Sequence, residues 1–184
     1  MRTGIALLVC MALFAGAVVA QEVPKGKIPG THLDTNLKEL PWLAAAWDVD
    51  DAVAAFKTKE SKILWVDTRP SSFFKQGTVR DAVLLVYDKA GSEYPDGEPV
   101  CTKETLEAAM AAAGADVVVF FCQGPKCHRS YNASYVAVKD WGLDPAKVVW
   151  FRGGYPNLFK AVGESPKLKR KAKRYLSDEG VAKL

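Results

Sequence analysis

Four short apolar runs punctuate the chain: Ile63 to Val66, Val83 to Val86, Val117 to Phe121 and Val148 to Phe151. None alternates apolar with polar, so each reads as a strand covered on both faces rather than one wetted on one side. Helical patterns separate them. Asp48 can cap a helix through Phe56 with Val49, Val53 and Phe56 on one face, and Ser71 to Lys75 makes a helical turn. After a turn-rich stretch from Gly91 to Pro99, Thr102 can cap a helix whose Leu106, Ala109, Met110 and Ala113 share a face and which Gly114 ends. Ser130 to Trp141 sets Ala133, Val136, Ala137 and Trp141 inward, with Gly142 as the stop. Buried strands alternating with helices predict an α/β fold with a central, mostly parallel sheet and helices on both faces. In such sheets ligands bind beyond the carboxyl ends of the strands.

The two ends of the chain depart from this pattern. Residues 1–20 carry Arg2, an apolar run from Ile5 to Val19, and Val18-Val19-Ala20 before Gln21, the small-residue signature of a cleaved signal peptide. The apolar run is shorter than the ~20 residues a spanning helix needs. The expectation is a periplasmic or secreted protein whose mature chain starts at Gln21. Residues 21–46 hold Pro24, Gly26, Pro29, Gly30 and Pro41 without periodicity and read as an extended arm. The domain is expected over 47–163, and residues 164–184 form a basic C-terminal helix or tail containing KLKRKAKR. That run reads as a solvated face, or as a surface for contact with an acidic partner or anionic lipid.

Losing the signal peptide removes Arg2 and Cys10. The net charge of +4 drops by one, too small a surplus to imply nucleic acid. The three remaining cysteines, Cys101, Cys122 and Cys127, leave at least one thiol outside any stable pair. In an oxidising compartment two close cysteines can rest as a disulfide.

Chemistry concentrates in VVVFFCQGPKCHRS, residues 117–130. A strand, a short Gly-Pro loop and a helix start is the arrangement in which successive backbone N–H groups converge on one point. A thiolate there is stabilised by those donors, by the helix dipole and by nearby cations. Cys122 is therefore the candidate nucleophile. Gly124 lets the backbone curl, and Lys126, His128, Arg129 and Ser130 are candidates for binding an anionic substrate. Cys127 can resolve a Cys122 adduct, protect it by reversible oxidation, or be a first-turn residue with no redox part.

Together with WVDTRPSSFFKQGTVRDAVLL, residues 65–85, and the continuation of the cysteine segment to Gly153-Gly154, this loop resembles the rhodanese-like domains, and within them exported single-domain forms with a two-cysteine loop. Asp67, Arg69, Phe74, Gly77 and Ala82 match the first segment, and Cys122, Ser130, Ala133, Gly142, Gly153 and Gly154 match the second. Thr78, Asp81 and Leu158 stand where the family usually has His, Gly and Trp, and Arg129 lies two residues further from the cysteine than the common loop places its Arg.

The resemblance implies a rhodanese-like sheet and a sulfurtransferase of the thiosulfate type. In that chemistry Cys122 takes the outer sulfur of thiosulfate or a related donor as a persulfide and passes it to a thiol or a partner protein. Asp67 and Arg69 shape the site. No metal or other cofactor is required.

Other readings use the same residues. Cys122 and Cys127 suit a thiol-disulfide redox protein, or a binding module that delivers sulfur to a dedicated partner. Cys122 to His128 also spells C-x4-C-H, a longer relative of the haem attachment motif, but only Met110 and His32 remain as obvious axial ligands. Zinc or copper on Cys122, Cys127, His128 and His32 has unfamiliar spacing. A cysteine phosphatase or arsenate reductase expects a shorter gap between its Cys and Arg.

Overall fold

The computed structural model describes residues 28–58, 62–87 and 97–184. The expected signal peptide lies outside them. Among the described residues no helix is long and apolar enough to cross a membrane.

Five strands form one sheet: β1 Ala45–Trp47, β2 Ile63–Asp67, β3 Val83–Leu84, β4 Val117–Phe121 and β5 Val148–Phe151, in the order β1-β5-β4-β2-β3. Every pairing between them is parallel. The helices are α1 Val49–Ala55, α2 Ser71–Phe74, α3 Lys103–Ala113, α4 His128–Lys139, α5 Gly154–Glu164, α6 Pro166–Lys169 and α7 Asp178–Val181. This is the mostly parallel α/β architecture that the apolar runs predict.

The absence of alternation in the strands has its reason in two cores. Leu64, Val66, Val118, Phe120, Val148 and Trp150 pack on one face of the sheet with Leu106 of α3 and Tyr131, Ala133 and Ala137 of α4. Trp65, Val119, Phe121, Val149 and Phe151 pack on the other face with α1 and with Tyr155, Leu158 and Val162 of α5. Successive residues point to opposite faces, and both faces are apolar. Local signals bound α3 as expected: Thr105 N–H bonds the Thr102 hydroxyl at 3.2 Å, and Gly114 closes the helix at φ 57°.

The described part of the N-terminal segment is not an extended arm. It contributes β1 and buries Ile28, Leu40, Trp42, Ala44 and Ala46. Arg152, at the end of β5, holds it there. This guanidinium is 2% exposed and grips both carboxylate oxygens of Asp48, at 3.1 and 2.6 Å, and the carbonyl oxygens of Asp34 at 2.5 Å and Thr35 at 3.2 Å. A buried cation needs this many acceptors to offset its lost hydration.

The C-terminal segment is pinned too. Ala172, Tyr175 and Leu176 are buried beside α5, while Lys167, Lys169, Arg170, Lys171, Lys173 and Arg174 stay exposed. Ser177 N–H donates to Thr78 O at 2.9 Å, tying this segment to the turn after α2.

Candidate functional site

β4 ends at Phe121, and Cys122 follows at the carboxyl edge of the sheet. Thr68, leaving the neighbouring β2, fixes that end: its N–H and its hydroxyl both donate to Phe121 O, at 3.1 and 2.8 Å. On the other side Tyr155 N–H donates to Cys122 O at 3.0 Å. The loop then folds back on itself through Cys127 N–H to Gly124 O at 3.0 Å, and α4 starts at His128.

Glycine makes this path available. Gly124 sits at φ 139°, a conformation that L side chains rarely adopt. Gly154, at φ 67°, is the surface the loop rests on: a Cβ there would meet Gly124 N at 2.5 Å and Cys122 O at 2.6 Å. Gly154 thus acts at the loop from across the sheet edge, whereas a Cβ on Gly153 would meet Phe151 and Val49.

Cys122 is 1% exposed and disulfide-bonded to Cys127, with Cα atoms 6.1 Å apart. The two thiols that the sequence singled out therefore reach each other within one loop. Lys126 is exposed; Cys127, His128 and Arg129 are half-buried in or next to the first turn of α4. Arg129 Nε is buried and has no hydrogen-bond partner among the described residues. Ser130 is turned to the core, where its Oγ lies 3.2 Å from Trp150 Nε1 and ties α4 to β5 rather than facing the loop. Cys101 is remote in character: buried, with its thiol pushed up to about 12 by burial, it is a poor nucleophile.

Asp67 and Arg69 form a closed corner after β2. Arg69 Nε and Nη2 reach the two Asp67 oxygens at 2.9 and 2.6 Å, and Nη2 also donates to Gly77 O at 2.8 Å. Asp67 further accepts from Arg69 N–H at 3.0 Å and from the Thr78 hydroxyl at 2.7 Å. The Arg69 guanidinium lies 4.7 Å from the centre of the Tyr155 ring. The three sequence departures find local roles here and nearby. Thr78 completes the Asp67 shell, Asp81 adopts φ 56°, which Asp tolerates better than most residues, and Leu158, on the inner face of α5, is wholly buried.

Between the corner, the loop and α5 lies a cleft of about 300 Å³. Phe73, Tyr155, Pro156 and Phe159 supply apolar wall, with Gln123 and Lys183 also lining it. The sequence reading passed over these residues and over Arg152. For Arg152 a signal existed, since an arginine closing an apolar strand must find buried acceptors. Among the described residues no group of three or more His, Cys, Asp or Glu side chains is arranged to hold a metal ion.

The model of the Rhodanese-like domain matches residues 48–161, more than half of the chain. The chain belongs to the rhodanese-like family. Rhodanese-like domains include sulfurtransferases, phosphatases and arsenate reductases.

No curated protein matches the sequence. Among solved structures, the BH2092 protein from Bacillus halodurans is 19% identical, with 63% of this chain and 72% of that one covered and a TM-score of 0.47. An As-Sb reductase from Leishmania major is 18% identical, covering 66% and 80% with a TM-score of 0.48. A Rhodopseudomonas palustris protein of unknown function, described as a possible tyrosine phosphatase, is 22% identical, covering 64% and 81% with a TM-score of 0.44.

Proposed function

We propose that this rhodanese-like chain is an exported sulfurtransferase in which Cys122 carries sulfane sulfur as a persulfide. The observation that carries the reading is the placement of Cys122 at the end of β4, in a glycine-shaped loop that runs into α4, whose first turn carries Arg129 with its Nε buried and without a hydrogen-bond partner among the described residues. An orphaned buried donor is costly, and an anion bound at it relieves that cost. Thiosulfate matches the requirement. The Cys122 thiolate attacks its outer sulfur, the sulfur–sulfur bond breaks, and sulfite leaves with the electron pair. A thiol or other nucleophile then collects the sulfur. Export and a periplasmic or secreted location rest on the signal-like residues 1–20.

The Cys122–Cys127 disulfide favours a second role for the same pair. A Cys127 thiolate attacking Cys122 Sγ expels hydrosulfide and leaves this disulfide, which a dithiol reductant reopens. The loop then either delivers sulfur to an acceptor or releases it as sulfide.

Intact mass spectrometry of the reduced protein after exposure to thiosulfate tests both steps. The wild type gains about one sulfur mass, ~32 Da, and Cys122→Ser gains none. Loading in Cys122→Ser refutes the proposal. Cys127→Ser loads but loses reductant-dependent sulfide release; equal release from wild type and Cys127→Ser removes the resolving role.

A further inference from the structure

The basic run near the C-terminus takes no part in the chemistry proposed for Cys122, and nothing in the run balances its charge. Residues 165–177, SPKLKRKAKRYLS, hold six cations and no carboxylate. Without those six the chain has 19 Lys and Arg against 21 Asp and Glu, so the positive excess is gathered in this one segment. Blocks of like charge ordinarily repel one another into disorder, yet this one is folded. Leu168 N–H donates to Ser165 Oγ at 3.4 Å, Arg80 N–H donates to Tyr175 O at 3.0 Å, Leu176 bridges to Val79, and Ala172, Tyr175 and Leu176 are buried. These anchors present Lys167, Lys169, Arg170, Lys171, Lys173 and Arg174 on a fixed surface, all exposed. Among the described residues none of the six forms an ion pair; Lys169 alone is engaged, donating to Leu184 O at 2.7 Å. Lys173 and Arg174 also line a notch with Arg80, Asp81 and Asp178. Both carboxylates there hold Arg80, at 3.0 and 3.3 Å, which leaves Lys173 and Arg174 for a ligand.

Self-repulsion among six fixed cations is relieved by an anionic surface laid against them. The kind of surface follows from what this face lacks. Protein interfaces centre on apolar and aromatic anchors and are depleted in lysine. Here Tyr175 is 1% exposed, Leu168 is half-buried, and the exposed large hydrophobic residues, Leu43 and Phe73, lie outside the segment. A bilayer of anionic headgroups needs only charge, and a cluster of this size suffices. We propose that residues 167–174 form a docking face for an anionic lipid bilayer, on which the folded chain adsorbs by charge without inserting. A headgroup phosphate seats at the notch between Lys173 and Arg174. The attachment is independent of the sulfur chemistry at Cys122.

Sedimentation of the full chain with vesicles tests this, using phosphatidylcholine alone and phosphatidylcholine with about 30% phosphatidylglycerol. Neutral vesicles report whatever the apolar residues 5–19 contribute, so the preference for anionic vesicles isolates charge. Each cation near such a surface contributes about fivefold to partitioning. The wild type prefers the anionic vesicles by about a hundredfold or more at about 50 mM salt and loses the preference at about 500 mM, where charges are screened.

Two triple variants separate this face from net charge. Lys171→Gln, Lys173→Gln and Arg174→Gln together lower the preference about a hundredfold. Lys57→Gln, Lys139→Gln and Lys147→Gln, which remove the same charge from exposed positions elsewhere, lower it less than about fivefold. All six side chains are exposed, so both cores stay intact. No preference for anionic vesicles, or equal losses in the two variants, overturns the proposal. Binding to soluble polyglutamate without binding to vesicles also overturns it, and assigns the face to an acidic protein.

Discussion

Two turns leave the same edge of the sheet from adjacent strands, and they are built in opposite ways. After β2, Asp67, Arg69, Thr78 and Gly77 O satisfy one another within a buried cluster, so that corner keeps its charge to itself. After β4, the Cys122 loop is held by backbone: two carbonyl anchors at its start, a bare Gly154 beneath it, and a Gly124 that permits its curl. Its cationic side chains are spent differently, with Lys126 in solvent and Arg129 Nε buried unpaired. The anion site proposed for this loop would keep its donors uncommitted and take its rigidity from elsewhere. The closed corner supplies part of that rigidity through Thr68, which follows Asp67 directly and donates twice to the last carbonyl of β4.

The contrast is broken or upheld most strongly at Asp67. Asp67→Asn leaves Arg69 as a buried cation without its counter-charge, and breaking such a pair costs about 3–5 kcal/mol. Chemical denaturation checks this; a loss below about 1 kcal/mol would show that the corner is not the structural half of the pair. Gly154→Ala should cost about 2 kcal/mol, since the new methyl group needs both a left-handed backbone and the space held by Gly124 N and Cys122 O. Its sulfur loading should fall by more than its stability accounts for, because the loop itself is displaced. Normal loading in a folded Gly154→Ala protein would show that the loop tolerates another path.

Arg129→Ala inverts the pattern. Removing a donor that no protein group satisfies changes stability by about 1 kcal/mol or less, while KM for an anionic donor rises about tenfold. Steady-state kinetics beside a denaturation curve separates the two. Destabilisation equal to that of Asp67→Asn, with KM unchanged, would make Arg129 a second structural arginine and erase the contrast.

How much of this was legible in the sequence follows the range of the forces involved. The four apolar runs locate β2, β3, β4 and β5 because burial on both faces leaves a local mark, and Thr102 and Gly114 mark the ends of α3 because capping is local. β1 leaves almost no mark. Ala45–Trp47 is a strand because β5 pairs with it and Arg152 pins the segment before it, both distant in sequence. β3 keeps only two of its four expected residues: Leu85 N–H turns to Asp67 O and Val86 bridges to Val100. The cysteine loop was legible since its thiols, glycine and basic residues are contiguous. The cleft was not, for Phe73, Gln123, Phe159 and Lys183 come from four separate parts of the chain.

The smallest expected effect concerns how the N-terminal segment is attached to the helix that starts at the loop. His32 Nδ1 lies 2.6 Å from the Tyr131 hydroxyl in α4, and both rings pack on Trp42. Burial lowers the pKa of His32 from its usual 6.5. The unfolded chain therefore takes up the proton at higher pH than the folded protein does. Stability due to this residue is fully present above about 6.5 and declines as pH falls through that value toward the lower folded pKa. Comparing thermal unfolding at about pH 7.5 and about pH 5.5, the midpoint of the wild type should drop by about 2 °C more than that of His32→Gln, which carries an amide in place of the titrating ring. Because the carboxylates titrate alike in both proteins, the difference isolates His32, and equal drops would place the N-terminal segment on Arg152 alone.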